Sequence, residues 1–457
     1  MRVRSETAWT TAVRQRAESH PEQVAMTFVD YSTEPWGRAR NLTYGELDAR
    51  VRAVGERLRQ VARPGDRAAI LCPTGVDFVV GFVACLYAGV IAVPLSAPGP
   101  YRHNDRIALA MDDCGCAVAL APRSFHETTV RIIHPDDIEP DPSIQWTPAP
   151  CEPAETAYLQ YTSGSTRHPA GVRVTHRNMA AVVGQSRTSL RFDEHSTIVS
   201  WSPLFHDLGL VFGVILPLAT GVPVLHMSPL AFVREPLRWL RLLSDRRATH
   251  MLCPNFGFDM CVDRVPAAQR AGLDLSPLVY AGNGAEPVRA RSLARFTEAF
   301  APYGFRPAAH TPVYGLAEAT FVVTTVPLDQ EPPVRSFDRA DLHAGRVRRI
   351  GDATRAGSPW WAAGSPSTRR YGSWIWRPDC PRGRRTSARS GYAAPTSVPA
   401  TGRTTGRRSS VPPSTARTAG CVPAISASST GIACSSPAGS RTSSSSTAVT
   451  TTRATLS

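Results

Sequence analysis

Residues 43–121 alternate between helical and strand patterns, and this alternation limits the possible folds more than any other feature of the chain. Thr43 and Glu46 fit a capping box, and apolar residues then recur at helical spacing as far as Val61. Apolar runs without alternating polar residues follow at 68–72, 90–93 and 117–121. Such strands, separated by helices, are typical of parallel sheets that are covered on both faces. The sequence therefore predicts an α/β fold of parallel sheets flanked by helices.

One apolar stretch, residues 78–95, is long enough to raise the question of a membrane span. It has 18 residues without a charge, which is the lower limit for a transmembrane helix. However, Gly89 can end a helix, the residues 90–93 read as a buried strand, and Pro94 stops that strand. We therefore predict a buried helix followed by a buried strand.

Two later segments also have helical patterns. Thr175 can cap a helix that runs to about Ser186. Residues 234–243 have the apolar spacing of an amphipathic helix. Neither segment carries a functional prediction.

The cysteines and the first residues of the chain bear on its location. Of the ten cysteines, only Cys114 and Cys116 lie close together, and no Cys/His set has the spacing of a zinc site. The first 30 residues carry charges throughout and no apolar core of a signal peptide. We therefore expect reduced thiols, a cytoplasmic location and no transmembrane segment.

Residues 158–172 pass from a strand pattern into a loop of small hydroxyl residues. The loop is Thr162, Ser163, Gly164, Ser165 and Thr166. The N–H groups and hydroxyls of such a loop can converge on a phosphate oxygen, although the same composition is common in ordinary turns. It is not a Walker A loop, because Gly171 is followed by Val172 and Arg173 rather than by Lys and Ser or Thr.

The segment TSGSTRHPAGV, residues 162–172, resembles the phosphate-binding signature of the AMP-forming adenylating enzymes. Arg167 and Ala170 stand where most of that superfamily has Gly and Lys, and this variant is similar to the fatty acyl-AMP ligases, which load fatty acids onto carrier proteins of polyketide synthases. The resemblance implies that residues 162–166 bind the phosphates of ATP and that Thr162 contributes to a Mg²⁺ site.

The segment SWSPLFHDLGL, residues 200–210, contains a His-Asp pair beside an apolar run. The residues alone are compatible with a surface turn or a satisfied core histidine. The segment resembles the second core motif of the family. That resemblance implies that His206 borders the junction of the carboxylate and nucleophile tunnels and supports developing charge on the acyl group.

The segment LCPNFGF, residues 252–258, is similar to the one that lines the acyl pocket of fatty-acid adenylating enzymes. The similarity implies that Asn255, Phe256 and Gly257 shape an apolar tunnel. Simple core packing is equally compatible with each residue alone.

Two further segments resemble the adenine-binding and magnesium-binding parts of the family. In VYAGNGAEPV, residues 279–288, the resemblance implies that Asn283, Gly284, Ala285 and Glu286 form a turn that is presented to adenine. In VYGLAEAT, residues 313–320, it implies that Tyr314 stacks on the purine beside Gly315 and that Glu318 binds Mg²⁺. Ala317 precedes this glutamate where many relatives have Thr, as in the fatty acyl-AMP ligases.

The charge of the chain divides it near residue 345. The net charge is +14, but residues 346–457 hold 17 Arg and 2 Asp, which leaves residues 1–345 with a net charge of −1. We predict that residues 1–345 form an incomplete AMP-binding large domain. Because residues 346–457 are rich in Arg, Ser, Thr and Pro with no amphipathic period, we predict a disordered tail there. A basic, nucleic-acid-binding tail is one interpretation, but we expect no nucleic-acid partner.

We favour an out-of-frame origin for the tail. Codons exist with which residues 437–456, read one base out of frame, spell TGRIKDLIIVDGRNHYPRDI, which looks like the family's hinge between its two domains. Codons can likewise be chosen for residues 385–402 that spell HVGEIWVRGPNVGAGYW out of frame, which looks like another stretch of the family. The two stretches follow each other in the order that the family has. The frame is expected to slip between about residues 340 and 360.

The resemblance implies a ligase that uses ATP and Mg²⁺ to convert a fatty acid into acyl-AMP for transfer to an acyl carrier protein, or, as the alternative, to CoA. The family also uses a lysine from its C-terminal domain to stabilise charge during attack on the α-phosphate. All 51 basic residues of this chain are arginine. Impaired activity is therefore expected, and an inactive nucleotide-binding fragment is the other alternative.

Overall fold

The computed structural model describes residues 9–98, 105–125, 129–141, 143–147, 149, 151–162, 169–349 and 357–361. Sixteen strands are assigned within these ranges. They are β1 (Val24–Asp30), β2 (Arg38–Thr43), β3 (Arg67–Ile70), β4 (Ile91–Pro94), β5 (Val118–Leu120), β6 (Arg131–Ile133), β7 (Thr156–Thr162), β8 (Ala170–Thr175), β9 (Ile198–Ser200), β10 (Val224–Met227), β11 (His250–Cys253), β12 (Tyr280–Asn283), β13 (His310–Gly315), β14 (Val322–Thr325), β15 (Val334–Asp338) and β16 (Gly357–Trp361).

Twelve α-helices connect and cover these strands within the described ranges. They are α1 (Trp9–Ser19), α2 (Tyr44–Arg59), α3 (Val76–Ala88), α4 (Asp105–Cys114), α5 (His176–Ser189), α6 (Asp207–Leu210), α7 (Leu216–Thr220), α8 (Pro229–Arg234), α9 (Leu237–Asp245), α10 (Asn255–Arg264), α11 (Ala290–Phe300) and α12 (Arg339–His343). A π-helical turn, Val211–Ile215, joins α6 to α7 without a break.

The larger sheet has eight strands in the order β14-β13-β12-β11-β9-β10-β1-β2. The strands from β13 to β1 pair in parallel, and one antiparallel strand is added at each edge. The smaller sheet has six strands in the order β6-β5-β3-β4-β7-β8, and only its last pair is antiparallel. Both sheets are thus mainly parallel, with antiparallel strands at both edges of the larger sheet and at one edge of the smaller sheet, and the predicted α/β class is confirmed.

The two sheets share one apolar core. Buried residues from inner faces of both sheets, such as Ile70 and Val224, belong to the same cluster as the buried side chains of α1, α2 and α3. A second cluster lies between the outer face of the eight-stranded sheet and α8 to α11, and a third lies between the six-stranded sheet and α4. The molecule therefore stacks five layers: helix, sheet, helices, sheet, helices.

The apolar stretch 78–95 forms a buried helix and a buried strand, as predicted. Gly89 ends α3 in the left-handed conformation with φ +73°, and β4 follows at once as an interior strand of the smaller sheet. Within the described part of the chain, no helix is both long and apolar enough to cross a bilayer.

Local capping signals also predicted helix starts correctly. The Thr43 N–H donates to the Glu46 carboxylate, and the Glu46 N–H donates to the Thr43 hydroxyl, which is a capping box on α2. Thr175 caps α5 in the same way with Asn178, and that helix runs to Ser189.

The helix predicted over 234–243 was wrong at its start. The structure ends α8 at Arg234 and begins α9 at Leu237. Pro236 is the N-cap of α9, and Glu235 before it is extended, because a residue that precedes proline is disfavoured in the helical region. The two short helices therefore meet at a bend.

At the end of the described residues, β15 pairs antiparallel with β16. The other residues of the predicted tail after Arg349 lie outside the described part of the chain, so their disorder and the slipped frame stay predictions.

Candidate active site

Four neighbouring strands of the eight-stranded sheet end at the segments that the sequence singled out. His206 follows β9, residues 255–257 follow β11, residues 283–286 end and follow β12, and the 314–318 segment ends and follows β13. These four strands are adjacent and parallel, so their carboxyl ends lie along one edge of the sheet. In parallel α/β sheets, ligands bind outside this edge.

The six-stranded sheet reaches the same place through its edge hairpin. In the hairpin β7–β8, Thr162 pairs with Ala170 at the end that bears the predicted phosphate loop. The short 3₁₀ turn Ala317–Ala319, which carries Glu318, lies against β8, with Cα atoms within 8 Å. The structure therefore brings the Glu318 turn to the hairpin of Thr162. The loop residues Ser163, Gly164, Ser165 and Thr166 lie outside the described residues.

Gln160 links this hairpin to the segment of His206. Its side chain is buried on β7, and its Nε2 donates to the main-chain oxygen of Phe205 at 2.9 Å. Its Oε1 is buried and has no hydrogen-bond partner among the described residues. Sequence reasoning missed this residue, although a glutamine inside a strand of otherwise apolar and aromatic residues is a signal that could have found it.

His206 begins α6 as its N-cap residue. Its Nδ1 lies 2.6 Å from Asp207 Oδ1, and the Leu208 N–H lies 2.6 Å from the same carboxylate oxygen and 3.2 Å from Nδ1. The two short contacts to Oδ1 assign a proton of Nδ1 to the carboxylate and make Asp207 the main acceptor of the Leu208 N–H. The hydrogen bond to Asp207 raises the pKa of His206, against the effect of burial. With Nδ1–H held by Asp207, Nε2 is the nitrogen that remains for another partner on this half-exposed ring.

The turn after β12 is braced by Asn255. Asn255 Oδ1 accepts from Asn283 Nδ2 at 3.2 Å and from the Arg289 N–H at 2.8 Å, while its Nδ2 donates to Pro287 O at 3.0 Å. Both asparagines are fully buried, and Asn283 Oδ1 has no partner among the described residues. The side chain of Asn255 thus holds the turn of residues 283–286, a connection that the sequence did not reveal.

The same turn packs closely on β13. A Cβ on Gly284 would lie 2.5 Å from Val313 Cγ2, so only glycine fits this approach. Ala285 has a φ of +64°, which is uncommon for a residue with a side chain. Beyond Val313, the ring of Tyr314 is 44% exposed. A buried turn therefore lies beside an exposed aromatic ring.

The Glu318 turn is held by its own backbone. The Leu316 N–H donates to Phe321 O at 3.1 Å, and the Thr320 N–H donates to Ala317 O at 2.8 Å. Thr320 is buried with a φ of +71°, which is a genuine outlier for a β-branched residue and is typical of functional segments. The exposed Glu318 carboxylate has no hydrogen bond or ion pair with another described residue.

The candidate acyl-pocket residues differ in their surroundings. Phe256 is 45% exposed, and its ring lies 5.4 Å from that of Trp201, which stacks on Phe232. Gly257 leaves room for this indole, since a Cβ there would lie 2.9 Å from Trp201 Cζ2. Phe256 and Gly257 therefore border an aromatic cluster, whereas the side chain of Asn255 is committed to the neighbouring turn.

The described residues contain no group of three or more His, Cys, Asp or Glu side chains that could hold a metal ion by themselves.

Two mainly parallel sheets share a helical layer, and close-packed glycine turns and an exposed tyrosine lie at the carboxyl ends of neighbouring strands, which defines an α/β class of protein whose ligands bind at this edge. The chain belongs to the AMP-binding enzyme family, which matches residues 13–347. The sequence-based resemblance is thereby confirmed.

Its relatives include fatty acyl-AMP ligases. The chain is 43% identical over 357 residues to the long-chain-fatty-acid–AMP ligase FadD32 of Mycolicibacterium smegmatis. The aligned region covers 74% of this chain and 56% of that protein. It is 38% identical over 371 residues to FadD26 of Mycobacterium marinum, also a long-chain-fatty-acid–AMP ligase, covering 78% and 64%. The chain therefore spans only 56% and 64% of the length of these relatives.

Solved structures agree with this placement. The fatty acyl-adenylate ligase of Legionella pneumophila, in complex with acyl adenylate and pyrophosphate, superposes with a TM-score of 0.75 at 33% identity. The match covers 79% of this chain and 64% of that one. The large-domain fold implied by the resemblance is confirmed for the matched part.

Proposed function

We propose that this chain uses ATP to activate the carboxylate of a long-chain fatty acid, giving acyl-AMP and pyrophosphate. The observation that supports this most is the convergence of four strand ends of one sheet with the edge hairpin of the other. The relatives support the substrate class, because they are named long-chain-fatty-acid–AMP ligases, and the Legionella structure holds acyl adenylate and pyrophosphate.

In this proposal the nucleotide lies along the edge formed by β12 and β13. The exposed ring of Tyr314 stacks on the adenine face, which needs no particular edge of the base. The turn of residues 283–286 supplies backbone groups from a position that Asn255 and Gly284 fix. Gly315 allows the end of β13 to lie close to the main chain of Phe321, and this approach fixes the position of the neighbouring Tyr314 ring.

The donors at the hairpin contact fit a magnesium ion. Mg²⁺ prefers oxygen ligands and binds through one or two protein groups together with substrate phosphates. The Glu318 carboxylate is exposed and uncommitted to other described residues, and Thr162 ends the strand that pairs with β8. We assign Glu318 and Thr162 as the residues that would hold the ion, which when bound would neutralise charge on the phosphates of ATP.

We assign His206 as the residue that faces the reacting carboxyl group. Asp207 fixes the ring through Nδ1, so that Nε2 can donate a hydrogen bond to an oxygen of the acyl group as its charge changes. Gln160 keeps the His206 segment at a constant position relative to the phosphate hairpin. Phe256 and Gly257 would then border the channel for the alkyl chain.

We propose a carrier-protein thiol as the acceptor of the acyl group, with CoA as the alternative. The proposal follows the branch of the relatives, since no described contact distinguishes the two acceptors. A cytoplasmic location also stays a prediction.

We further propose that turnover by this chain is low. Since none of its 51 basic residues is lysine, the cation that the family uses at the α-phosphate is not available. Loss of one such electrostatic stabiliser lowers rates by about 10²-fold or more. Pyrophosphate release near the rate of an intact relative would contradict this. Resequencing the gene across codons 340–360 tests the slipped frame directly.

The central test uses excess protein, ATP, Mg²⁺ and a long-chain fatty acid, with acyl-AMP measured in a single turnover. Glu318→Gln removes the charge without changing the size of the side chain. We expect acyl-AMP formation to fall by about 10²-fold or more. Glu331→Gln, at another exposed glutamate after β14, is the matched control and should retain the rate.

Two results would count against the proposal. One is an unchanged rate in Glu318→Gln when the parent chain forms acyl-AMP. The other is the absence of acyl-AMP together with no binding of ATP by the parent chain in calorimetry. Binding of ATP without any acyl-AMP would instead support the alternative of an inactive nucleotide-binding fragment.

A further inference from the structure

The helix α4 ends in a turn that brings two cysteines together. Cys114 is its last residue, and Gly115 has a φ of +58°. The Gly115 N–H donates to Asp112 O at 3.1 Å and the Cys116 N–H donates to Met111 O at 3.0 Å, which is a Schellman motif. The left-handed glycine reverses the chain, and the sulfur atoms of Cys114 and Cys116 lie 3.1 Å apart.

Neighbouring groups hold this turn and favour a reactive thiolate. Arg67 donates to the main-chain oxygens of Cys114 and Gly115 at 2.7 and 2.9 Å. The hydrogen bond from Cys116 lowers the pKa of Cys114, and Tyr161 and Arg67 act in the same direction against the effect of burial. The same hydrogen bond raises the pKa of Cys116. Cys114 is buried and Cys116 is half-buried, so a small reagent can reach the pair from the Cys116 side.

The turn also contacts the hairpin of the candidate active site. The Tyr161 hydroxyl donates to Asp113 Oδ2 at 2.7 Å, and Asp113 precedes Cys114. Tyr161 pairs with Gly171 across the hairpin, and its ring covers that glycine closely enough that a Cβ there would lie 3.0 Å from Cζ. Movement of the dithiol turn is therefore passed to residues that flank Thr162.

We propose that Cys114 and Cys116 form an oxidation site, at which a hydroperoxide converts the two thiols into an intrachain disulfide and thereby loosens the β7–β8 hairpin. The two sulfurs need to approach by only about 1 Å to bond. The inference rests on described contacts and does not require the proposed adenylation activity.

The chemistry balances with one molecule of hydrogen peroxide. The Cys114 thiolate attacks one peroxide oxygen, the O–O bond breaks, and the hydroxide that leaves takes up the proton lost by Cys114, giving water and a sulfenic acid. The Cys116 sulfur then attacks the Cys114 sulfur, the S–O bond breaks, and that hydroxide leaves as water with the proton of Cys116. Two electrons pass from the thiols to the peroxide.

The loosening follows from the contacts that the disulfide disturbs. Closing the ring draws the ends of the turn together, and Asp113 belongs to that turn. The bond from Tyr161 to Asp113 is thereby strained, and the ring of Tyr161 no longer covers Gly171 in the same position. Loss of one such hydrogen bond corresponds to about fivefold faster opening of the hairpin.

The test treats the full chain with hydrogen peroxide, blocks free thiols by alkylation after unfolding, and digests with trypsin. Both cysteines fall in the peptide of residues 107–123, which contains no other cysteine. We expect this peptide to lose two hydrogens and to escape alkylation until a reductant is added. Cys253 and Cys261, which are fully buried, should stay alkylatable.

Matched variants separate the pair from an isolated thiol. Cys116→Ser should leave a sulfenic acid on Cys114 that dimedone traps, and no disulfide. Cys151→Ser, at another half-buried cysteine, should oxidise like the parent chain. Hydrogen–deuterium exchange of residues 170–175 should rise about fivefold on oxidation in the parent and stay unchanged in Cys116→Ser.

The proposal is overturned if residues 107–123 remain fully alkylatable at peroxide doses that oxidise Cys151. Its structural part is overturned if the disulfide forms while exchange of residues 170–175 is unaffected. Neither readout uses ATP or a fatty acid, so failure here is distinguishable from failure of the proposed function.

Discussion

The six-stranded and eight-stranded sheets are built on the same plan, yet they contribute to the candidate site in different ways. Each is parallel and ends in an antiparallel hairpin, and the two hairpins meet where the Glu318 turn lies against β8. The hairpin β13–β14 is held by its own backbone bonds around Phe321. The strands of the hairpin β7–β8 are also joined by backbone pairing, but this hairpin is held in addition from outside, by the Tyr161–Asp113 hydrogen bond and by the bond from Gln160 to Phe205.

The sheets also differ in their titratable interior. Three strands of the eight-stranded sheet carry His226, His250 and His310, and burial lowers the pKa of each to about 4. Each ring donates through Nε2 to a main-chain oxygen within the fold. No strand of the six-stranded sheet contains a histidine within the described ranges. The sheet that supplies most of the candidate site is therefore the one that acid should weaken.

The largest expected effect is this acid sensitivity. Each folded pKa near 4 lies below the unfolded value of about 6.5, so between these values the unfolded chain binds protons that the folded chain excludes. Stability is therefore lost as the pH falls through this interval, by roughly 2 kcal/mol per histidine between pH 7 and 5. Urea unfolding at both pH values measures the loss.

A pair of substitutions tests whether the buried rings cause it. His250→Gln should reduce the pH dependence by about a third, because one of three equal contributions is removed. His195→Gln, at an exposed histidine, should leave it unchanged. Equal pH dependence in both variants would refute the assignment.

The next largest effect is expected in the hairpin that its own backbone holds. A Cβ at Gly315 would lie 2.2 Å from the main-chain oxygen of Phe321, and backbone cannot move aside as a flexible side chain can. We expect Gly315→Ala to lower the free energy of unfolding by about 3 kcal/mol. Gly184→Ala, in α5 with no atom within 4 Å of its Cβ, should be neutral or stabilising by about 0.5–1 kcal/mol in urea unfolding.

A smaller effect is expected in the hairpin that is held from outside. Gln160→Leu removes the donor to Phe205 O and leaves that oxygen unsatisfied. We expect this to lower the free energy of unfolding by about 1–2 kcal/mol. Urea unfolding measures the change. The exposed Gln269 provides the control, because Gln269→Leu breaks no described hydrogen bond and should change stability by less than about 0.5 kcal/mol. Equal effects of the two substitutions would show that the bond to Phe205 does not stabilise the hairpin.

The smallest effect concerns a single titration. Because Asp207 raises the pKa of His206, Asp207→Asn should lower it, as measured by NMR of the ring. The sign for stability is opposite to that of the buried histidines: the contribution of the ion pair is present below the unfolded pKa and is lost as the pH rises through the folded pKa. An unchanged His206 pKa would show that the contact at Nδ1 is not formed in solution.

Local chemistry was readable from the sequence, whereas contacts between distant segments were not. The caps at Thr43 and Thr175 and the glycine end of α3 depend on neighbours within a few residues, and they were predicted correctly. The support of the 283–286 turn by Asn255 depends on which strands lie side by side, and so does the approach of Glu318 to β8. The pattern of a single sequence does not show which strands are neighbours in a sheet, so these contacts could not be predicted from it.

The site residues divide in the same way. Family motifs indicated Tyr314, Glu318 and His206, but they gave no reason to select Gln160 or the dithiol turn, because neither belongs to a motif. The start of α9 was missed because apolar spacing was given more weight than the proline at 236. Ser163 to Thr166 lie outside the described residues, so their roles stay predictions.

The helix α3 has a consequence for how the chain can be divided. All of its residues except Asp77 are buried, and it lies between the strands β3 and β4 and the helices α1 and α2. A helix that is apolar on all sides cannot lie at the surface of a smaller protein without exposing an aggregation-prone apolar patch. A nick between β8 and β9 should therefore give two fragments that stay associated and unfold as one cooperative unit.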